Sequence, residues 1–118
     1  MTAKRIVPNV TTGRPDMGRE FFGEFLGLDT AMDLGWIATY AAPGNPTAQV
    51  SVIRDDLGPQ PAISVEVDDV DRAHADALAR GYKVVYPLRD EPWGVRRFWV
   101  EGPGGVVVNV LSHAAADE

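Results

Sequence analysis

The chain has 118 residues, 45% of them hydrophobic and 24% charged, a balance that suits a packed core and argues against general disorder. Its formal net charge is −6, whereas a nucleic-acid partner needs a basic face, so we expect no nucleic-acid binding. The absence of cysteine excludes disulfides and thiolate chemistry. The most apolar stretch, Val106–Leu111, is far shorter than the roughly 20 residues of a membrane span, and no secretory signal pattern opens the sequence. We therefore expect a cytoplasmic protein without membrane contact.

The first half of the chain predicts one helix among short strands. A β-like run at 5–10 ends in a break at 12–15, rich in turn-forming residues. Apolar residues then recur at spacings near three and four, which predicts a helix through Met17–Leu26 with Gly27 as its stop. Further strands are predicted at 36–41 and 48–53, with a turn at 42–46 between them and an additional short strand around 30–33.

The second half repeats this order. The alternation in Ala62–Val67 predicts a strand, and Asp68-Asp69 supplies acid and a cap for a helix from Val70 to a stop at Gly81. The segment Gly102–Gly105 leads into a strand and not into a helix, which indicates a turn and not a phosphate-binding loop. Each half is therefore β-α-β-β-β, the last three strands of the second half being predicted at 82–86, 95–100 and 106–111.

The predicted fold class is α+β, built from two βαβββ modules. The first module takes residues 1–56 and the second residues 57–118, and together they form one domain. A single helix covers only one face of a module's sheet. Two such sheets side by side, with the helices outside, would form a cup for a small molecule. We therefore expect a cupped mixed β-sheet.

Several segments carry a family resemblance. They are Ser64–Ala73, Ala77–Tyr82, Trp93–Phe98, Gly102–Gly105 and, in the first half, Phe21–Leu28. Together they resemble the vicinal oxygen chelate superfamily, which groups glyoxalase I, extradiol dioxygenases, fosfomycin-resistance transferases and bleomycin-resistance proteins. The resemblance extends over nearly the whole chain and implies paired βαβββ modules and, commonly, a homodimer. It leaves the function open, because one scaffold hosts unrelated chemistries.

The resemblance also locates the positions that hold a divalent metal in the enzymes of this superfamily. Those positions carry His, Gln or Glu, and here they fall at Arg5, Gln49 or Ser51, Ala62 and Asn109. Arginine is a permanent cation, alanine has no donor atom, and asparagine is a poor neutral ligand. We therefore expect no metal and no other cofactor.

The histidines agree with this expectation. The sequence has two of them, and a 2-His-1-carboxylate iron site would need both beside a carboxylate. His74 is predicted on the second helix, solvated or half-buried, and His113 in the alanine-rich tail after the last strand. Neither is expected on a strand that faces the cup.

Strand side chains alternate between the two faces of a sheet, so the lost ligand positions mark the side of each strand that would face the cup. An apolar set is expected on the other side, under the helices: Ile6, Val10, Ile63, Val65, Val67, Val106, Val108 and Val110. The predicted ligand-binding residues combine aromatic rings for stacking with amides and cations for orientation: Arg5, Asn9, Trp36, Tyr40, Gln49, Ser51, Arg97, Trp99 and Asn109.

Structural roles stay open for several of these residues. The two tryptophans could fill the core. Arg5 and Arg97 could be exposed charges at the rim, or could pair with Glu66 or Glu101.

Three functions follow from these alternatives. The first is a metal-free binding protein of the bleomycin-resistance kind, which takes up a small aromatic or amphipathic molecule. The second is a lyase, isomerase or dioxygenase with an atypical metal site. The third is a non-catalytic regulatory or interaction module.

Overall fold

The structure is a computed structural model that describes residues 1–113. The first half consists of β1 (Ala3–Thr12), α1 (Pro15–Gly18), which continues as a π-helical stretch (Arg19–Phe25), β2 (Asp29–Asp33), β3 (Ile37–Ala42) and β4 (Asn45–Arg54). The second half consists of β5 (Ile63–Val67), α2 (Val70–Ala79), β6 (Val84–Asp90), β7 (Val95–Glu101) and β8 (Val107–His113). Short 3₁₀ turns occupy Asp55–Leu57 and Pro103–Gly105.

This element order confirms the predicted α+β fold with two βαβββ modules. The short strand expected around 30–33 is present as β2, and Gly102–Gly105 is a turn that leads into β8. The expectation that His113 lies in a tail beyond the last strand is wrong. His113 is the last residue of β8, because its backbone continues the antiparallel pairing opposite Val95 of β7. The predicted end of the second module, residue 118, lies outside the described residues.

The chain divides into two compact units. The first unit comprises residues 6–60, and the second comprises residues 1–5 together with the chain from Pro61 onward. In the first unit the strands lie in the order β2-β3-β4-β1, with β4 and β1 parallel and the other neighbours antiparallel. The second unit has the order β5-β8-β7-β6, with β5 and β8 parallel and the other neighbours antiparallel. The two units therefore share one topology.

Helix α2 covers one face of the second unit's sheet. Its residues Val70, Ala73 and Ala77 recur at a helical spacing and are buried against Val67 and Phe98. Asp69 is the N-cap of this helix. Its carboxylate accepts a hydrogen bond from the Arg72 backbone N–H at 3.0 Å, which satisfies one of the unpaired donors of the first turn. Gly81 follows the helix at φ 76°, the left-handed conformation that glycine adopts without strain.

The first helix, α1 with its π-helical extension, covers its sheet less completely. Gly18 lies close to β4, since a Cβ at this position would stand 3.1 Å from the Val52 side chain. Phe22 stacks on Tyr40 with ring centroids 5.9 Å apart. The predicted apolar residues of this helix are nevertheless exposed: Met17, Phe21, Phe25 and Leu26. No helix among residues 1–113 is both long and apolar enough to cross a membrane.

Candidate ligand-binding site

A polar and aromatic face lies on the side of the second unit's sheet opposite α2. Phe98 and Val110 pack toward α2, so the alternate residues of β7 and β8 point the other way. The register places Tyr86, Trp99, Asn109 and Ser64 in one row across β6, β7, β8 and β5, and places Arg97, Leu111 and Glu66 in the next row. We call these seven residues, with Arg5 and Glu91, the polar face.

The two faces of this sheet can be compared with the side-chain orientations predicted for the second half of the chain. Val65, Val67 and Val110 belong to the core under α2, as expected. Arg97, Trp99 and Asn109 lie together on the opposite face, so the structure brings these three predicted site residues together.

At one end of the polar face, three side chains contact the carboxylate of Glu91. Its side chain is 2% exposed and accepts hydrogen bonds from the Tyr86 hydroxyl at 2.5 Å and from Arg97 Nε at 2.7 Å. Arg89 Nε lies 3.2 Å from the other carboxylate oxygen. A buried carboxylate with three donors is held in one orientation, so Glu91 fixes the position of Arg97.

The guanidinium of Arg97 is enclosed by aromatic rings. Its Cζ lies 4.9 Å from the ring centroid of Tyr86, 5.0 Å from that of Trp93 and 5.2 Å from that of Trp99, distances at which cation–π attraction operates. Tyr86 and Trp99 also stack on each other at 4.5 Å. Arg97 therefore pairs with Glu91, and not with Glu101, and its guanidinium contacts all three of these rings.

The environment of Glu91 favours its ionised form. Burial by itself raises the pKa of this carboxyl, but the hydrogen bonds from Tyr86 and Arg97 and the charges of Arg97 and Arg89 lower it further than burial raises it. The net result is a Glu91 pKa below its ordinary value.

Two buried polar atoms in the middle of the polar face have no hydrogen-bond partner among the described residues. They are Trp99 Nε1, a donor, and Asn109 Oδ1, an acceptor. Their residues are register partners on neighbouring strands. The amide nitrogen of Asn109 is engaged, because it donates to Ser64 Oγ at 3.0 Å. Since buried polar groups are nearly always paired, this unpaired donor and acceptor are the unusual feature of the middle of the polar face.

An ion-pair cluster lies at the β5 side of the polar face. Arg5 Nε lies 2.9 Å from Glu66 Oε1, and His113 Nδ1 lies 2.7 Å from Glu66 Oε2. Burial raises the pKa of Glu66, but the hydrogen bond from His113 and the charge of Arg5 outweigh it, and the pKa lies below its ordinary value. The open alternative that Arg5 pairs with Glu66 is therefore the one that the structure contains.

The donor set of this cluster does not fit a divalent metal. Zinc, manganese and iron sites need at least three N or O donors converging on one point. Within residues 1–113, no group of three or more His, Asp or Glu side chains is placed to hold a metal ion. Of the two partners of Glu66, His113 could bind a metal ion, but Arg5 is a cation and would repel it.

Three predicted site residues of the first unit share one side of its sheet. Asn9 of β1 and Ser51 of β4 are register partners, and Gln49 has the same parity as Ser51. Ser51 is buried and hydrogen-bonded to Thr39 at 2.7 Å, while Gln49 donates to the Pro46 carbonyl at 2.6 Å. The structure thus brings Asn9, Gln49 and Ser51 onto one face.

Tyr40 requires a correction. It was expected on the same side as Ser51, but the register pairs Ser51 with Thr39 and Tyr40 with Val50, so Tyr40 lies on the opposite face and packs on Phe22 of the first helix. The assumed side of β3 was wrong by one residue, and in a strand such a shift exchanges the two faces. Trp36 lies directly before β3 and is partly buried.

The sequence predictions omitted Glu91, Tyr86 and His113. Glu91 stands in the β6–β7 hairpin, where its backbone N–H donates to the Val95 carbonyl at 2.7 Å. The available signal was an acidic residue beside the Pro92-Trp93-Gly94 turn, between strands that carry Tyr86 and Arg97.

Comparison with known proteins identifies relatives of this fold. The model of the Glyoxalase/Bleomycin resistance protein/Dioxygenase superfamily matches residues 5–110. No curated protein matches the sequence. Among solved structures, methylmalonyl-CoA epimerase from Mycobacterium tuberculosis is similar with a TM-score of 0.69 and 20% identity, over 96% of this chain and 88% of that chain.

Two further structures are similar over most of this chain. A glyoxalase/bleomycin resistance protein/dioxygenase superfamily member from Vibrio splendidus has a TM-score of 0.65 and 16% identity, over 94% of this chain and 99% of that chain. The Mn(II)-bound glyoxalase from Novosphingobium aromaticivorans has a TM-score of 0.65 and 23% identity, over 98% of this chain but 41% of that chain. Identities this low show a common fold.

Proposed function

Because the chain belongs to the Glyoxalase/Bleomycin resistance protein/Dioxygenase superfamily, we propose that it binds a small aromatic or amphipathic molecule on the polar face without using a metal. The observation that carries the proposal is the pair of buried atoms, Trp99 Nε1 and Asn109 Oδ1, that have no partner among the described residues. One donor and one acceptor side by side suit a hydroxyl or a primary amide, which can accept from the first and donate to the second.

The charges of the polar face support a ligand without strong charge of its own. Arg97 is paired with Glu91, and Arg5 is paired with Glu66. Neither arginine is an uncompensated cation that would select an anion. The stacked rings of Tyr86 and Trp99 offer an apolar surface next to the two polar atoms, which suits an aromatic body with one polar substituent.

The direct test uses 4-hydroxybenzamide as the probe and the indole N–H signals in a ¹⁵N correlation spectrum. The chain has three tryptophans, so the Trp99 signal can be assigned by comparison with the Trp99→Phe variant. We expect the probe to shift the Trp99 indole signal while the Trp36 signal stays in place. Asn109→Leu should weaken binding roughly fivefold, the usual effect of losing one hydrogen bond, and the exposed control Asn45→Leu should not.

Other outcomes would contradict the proposal. Equal shifts of all three indole signals, or an Asn109→Leu variant that binds like the parent, would remove the polar face as the site. Stoichiometric zinc, manganese, nickel or iron in the purified protein would instead favour the metal-dependent lyase, isomerase or dioxygenase. A protein that is captured from a cell extract and is displaced by the probe would favour the interaction module. The expected cytoplasmic location stays a prediction.

We also propose that the protein is a homodimer that associates through the first unit. Phe25 is 73% exposed and its ring lies 5.5 Å from that of Phe21, which is exposed like the neighbouring Leu26. Ile6 of β1 is 60% exposed as well. Contiguous apolar surface of this kind marks an interaction site on a monomer. Sedimentation equilibrium should give a dimer for the parent chain and a monomer for Phe25→Lys. The control is Leu78→Lys, an exposed apolar residue of α2, which should leave the dimer intact; a parent chain that is monomeric would refute the proposal.

A further inference from the structure

A cleft lies in the first unit, on the face of its sheet that the first helix covers. Its volume is about 320 Å³, at the lower end of the range for small-molecule sites. Ala38 and Val52, register partners on β3 and β4, form its apolar floor, and Pro15 of α1 lines it beside them. The cleft belongs to the face opposite Ser51 and Thr39, so Tyr40, which was expected in the cup, lines this cleft instead.

Tyr40 places a hydroxyl in this cleft. The residue is 3% exposed and lines the cleft, its ring being held by stacking on Phe22. Among the described residues, none forms a hydrogen bond with the Tyr40 hydroxyl. The hydroxyl is also not one of the fully buried side-chain atoms that lack a partner, so it is accessible from the cleft and available to a bound molecule.

Two residues of opposite charge, Arg19 and Asp33, line the cleft together with Tyr40. Burial raises the pKa of Tyr40, the positive charge of Arg19 lowers it and the negative charge of Asp33 raises it, which indicates that both groups lie near the phenol. Arg19 and Asp33 stand 3.9 Å apart, the outer limit of an ion pair, and both line the cleft. Asp33 Oδ1 is held by the Gly35 backbone N–H at 2.9 Å.

The remaining charge at the cleft is already compensated. Asp16 lines the cleft, but Arg14 binds its carboxylate through two nitrogens at 3.2 and 3.0 Å. The groups left to meet a ligand are therefore one cation, one anion and one hydroxyl, above an apolar floor.

We propose that this cleft binds a small zwitterion of the α-amino acid type with an aliphatic side chain. The ligand carboxylate would bind the Arg19 guanidinium and accept from the Tyr40 hydroxyl, and its ammonium would bind Asp33. The aliphatic side chain would lie on Ala38 and Val52. A zwitterion can enter between Arg19 and Asp33 because their own contact is long. It would replace that contact with two shorter ion pairs, one between its carboxylate and Arg19 and one between its ammonium and Asp33.

The experiment follows the backbone amides of Gly35, Ala38 and Tyr40 by NMR during titration with millimolar L-leucine. N-acetyl-L-leucine lacks the ammonium group and L-leucinamide lacks the carboxylate, so both should bind more weakly than L-leucine. Tyr40→Phe removes the hydroxyl alone and should weaken L-leucine binding roughly fivefold. The matched control Tyr82→Phe removes an exposed hydroxyl and should have no effect.

A second variant keeps the test independent of any change in folding caused by Tyr40→Phe. Arg19 is exposed, and Arg19→Gln should abolish the preference for L-leucine over L-leucinamide, while Arg80→Gln, which breaks the exposed pair with Asp76, should preserve it. The proposal is overturned if L-leucine leaves the three amides unshifted, or if all three compounds shift them equally. These outcomes do not involve Trp99 or Asn109, so they are separate from the test of the polar face.

Discussion

The two units share one strand order but differ in how their helices cover the sheet. In the second unit, α2 buries Val70, Ala73 and Ala77 against Phe98, which is 1% exposed. In the first unit, the apolar residues Phe21 and Phe25 of the helix remain exposed, and Gly18 is the buried residue of α1. The same topology therefore produces a closed core in one unit and an open apolar surface in the other.

The difference separates two uses of hydrophobic side chains. A residue such as Phe98 stabilises the fold of the unit that contains it, because the apolar area it removes from water is buried within that unit. Phe25 contributes little to its own unit, since most of its surface stays in solvent. Its exposed apolar area suits association with another surface.

The largest expected effect comes from removing the centre of the closed core. Phe98→Ala should lower the free energy of unfolding by about 3–5 kcal/mol, the range for a buried phenylalanine that leaves a cavity. Urea denaturation of the variant and the parent, at a protein concentration where both are monomers, measures this loss.

The matched substitution in the first unit is Phe25→Ala, which should change the same free energy by less than about 0.5 kcal/mol. If the two phenylalanine variants lost equal stability, the contrast between a closed and an open apolar surface would be refuted.

The next largest effect concerns buried charge. Glu91→Gln keeps the size of the side chain but leaves Arg97 without its carboxylate, and removing one partner from a buried ion pair is strongly destabilising. We expect a loss of about 2–4 kcal/mol in urea denaturation, lessened from the full value because glutamine still accepts from Tyr86.

The counterpart in the first unit is Asp16→Asn, at the exposed Arg14–Asp16 pair. Surface ion pairs in high dielectric contribute little, so this variant should unfold at the same urea concentration as the parent. If Glu91→Gln also unfolded at the same urea concentration as the parent, the hydrogen bonds and ion pairs of Glu91 would not stabilise the second unit.

Much of the second unit could be predicted from the sequence, since strict alternation in Ala62–Val67 and the Asp69 cap are local signals with one structural meaning. The side of β7 was also predictable, because Phe98 and Val100 are apolar while Arg97 is charged. Helix α2 and its strands followed directly from these patterns.

The candidate site was less predictable because its key contacts join distant residues. Glu91 gains its role from Arg97 and Tyr86, and their proximity depends on the hairpin register, which includes irregularities in β6. Tyr40 was assigned to the wrong face because Trp36–Ala41 is almost uniformly apolar, and such a run does not indicate which side is buried. His113 extends β8 only through its pairing with β7.

Acid should destabilise the second unit through the buried Glu91 and the partly buried Glu66. Glu91 and Glu66 have pKa values below the ordinary value in the folded chain, so the unfolded chain binds more protons as the pH falls. The stability that these carboxylates provide is complete above the ordinary pKa of about 4.5 and is lost as the pH falls through the lower folded values. Urea midpoints measured from about pH 6 to about pH 3 should decline, and Glu91→Gln should decline less steeply; an equal slope in parent and variant would contradict the assignment.

The smallest effect tests how the two helices begin. Asp69 accepts from the Arg72 backbone N–H, whereas Arg14, at the corresponding position of α1, makes no side-chain hydrogen bond that caps the helix. Asp69→Ala should therefore lower the free energy of unfolding by about 1 kcal/mol, the usual contribution of an N-cap, and Asp69→Ser should restore most of it. Arg14→Ala should leave amide exchange in α1 unchanged, because no cap is lost there. Hydrogen exchange measures the two helices separately. Faster exchange of α2 in Asp69→Ala, with unchanged exchange of α1 in Arg14→Ala, would show that the helices differ in N-capping as well as in their buried faces.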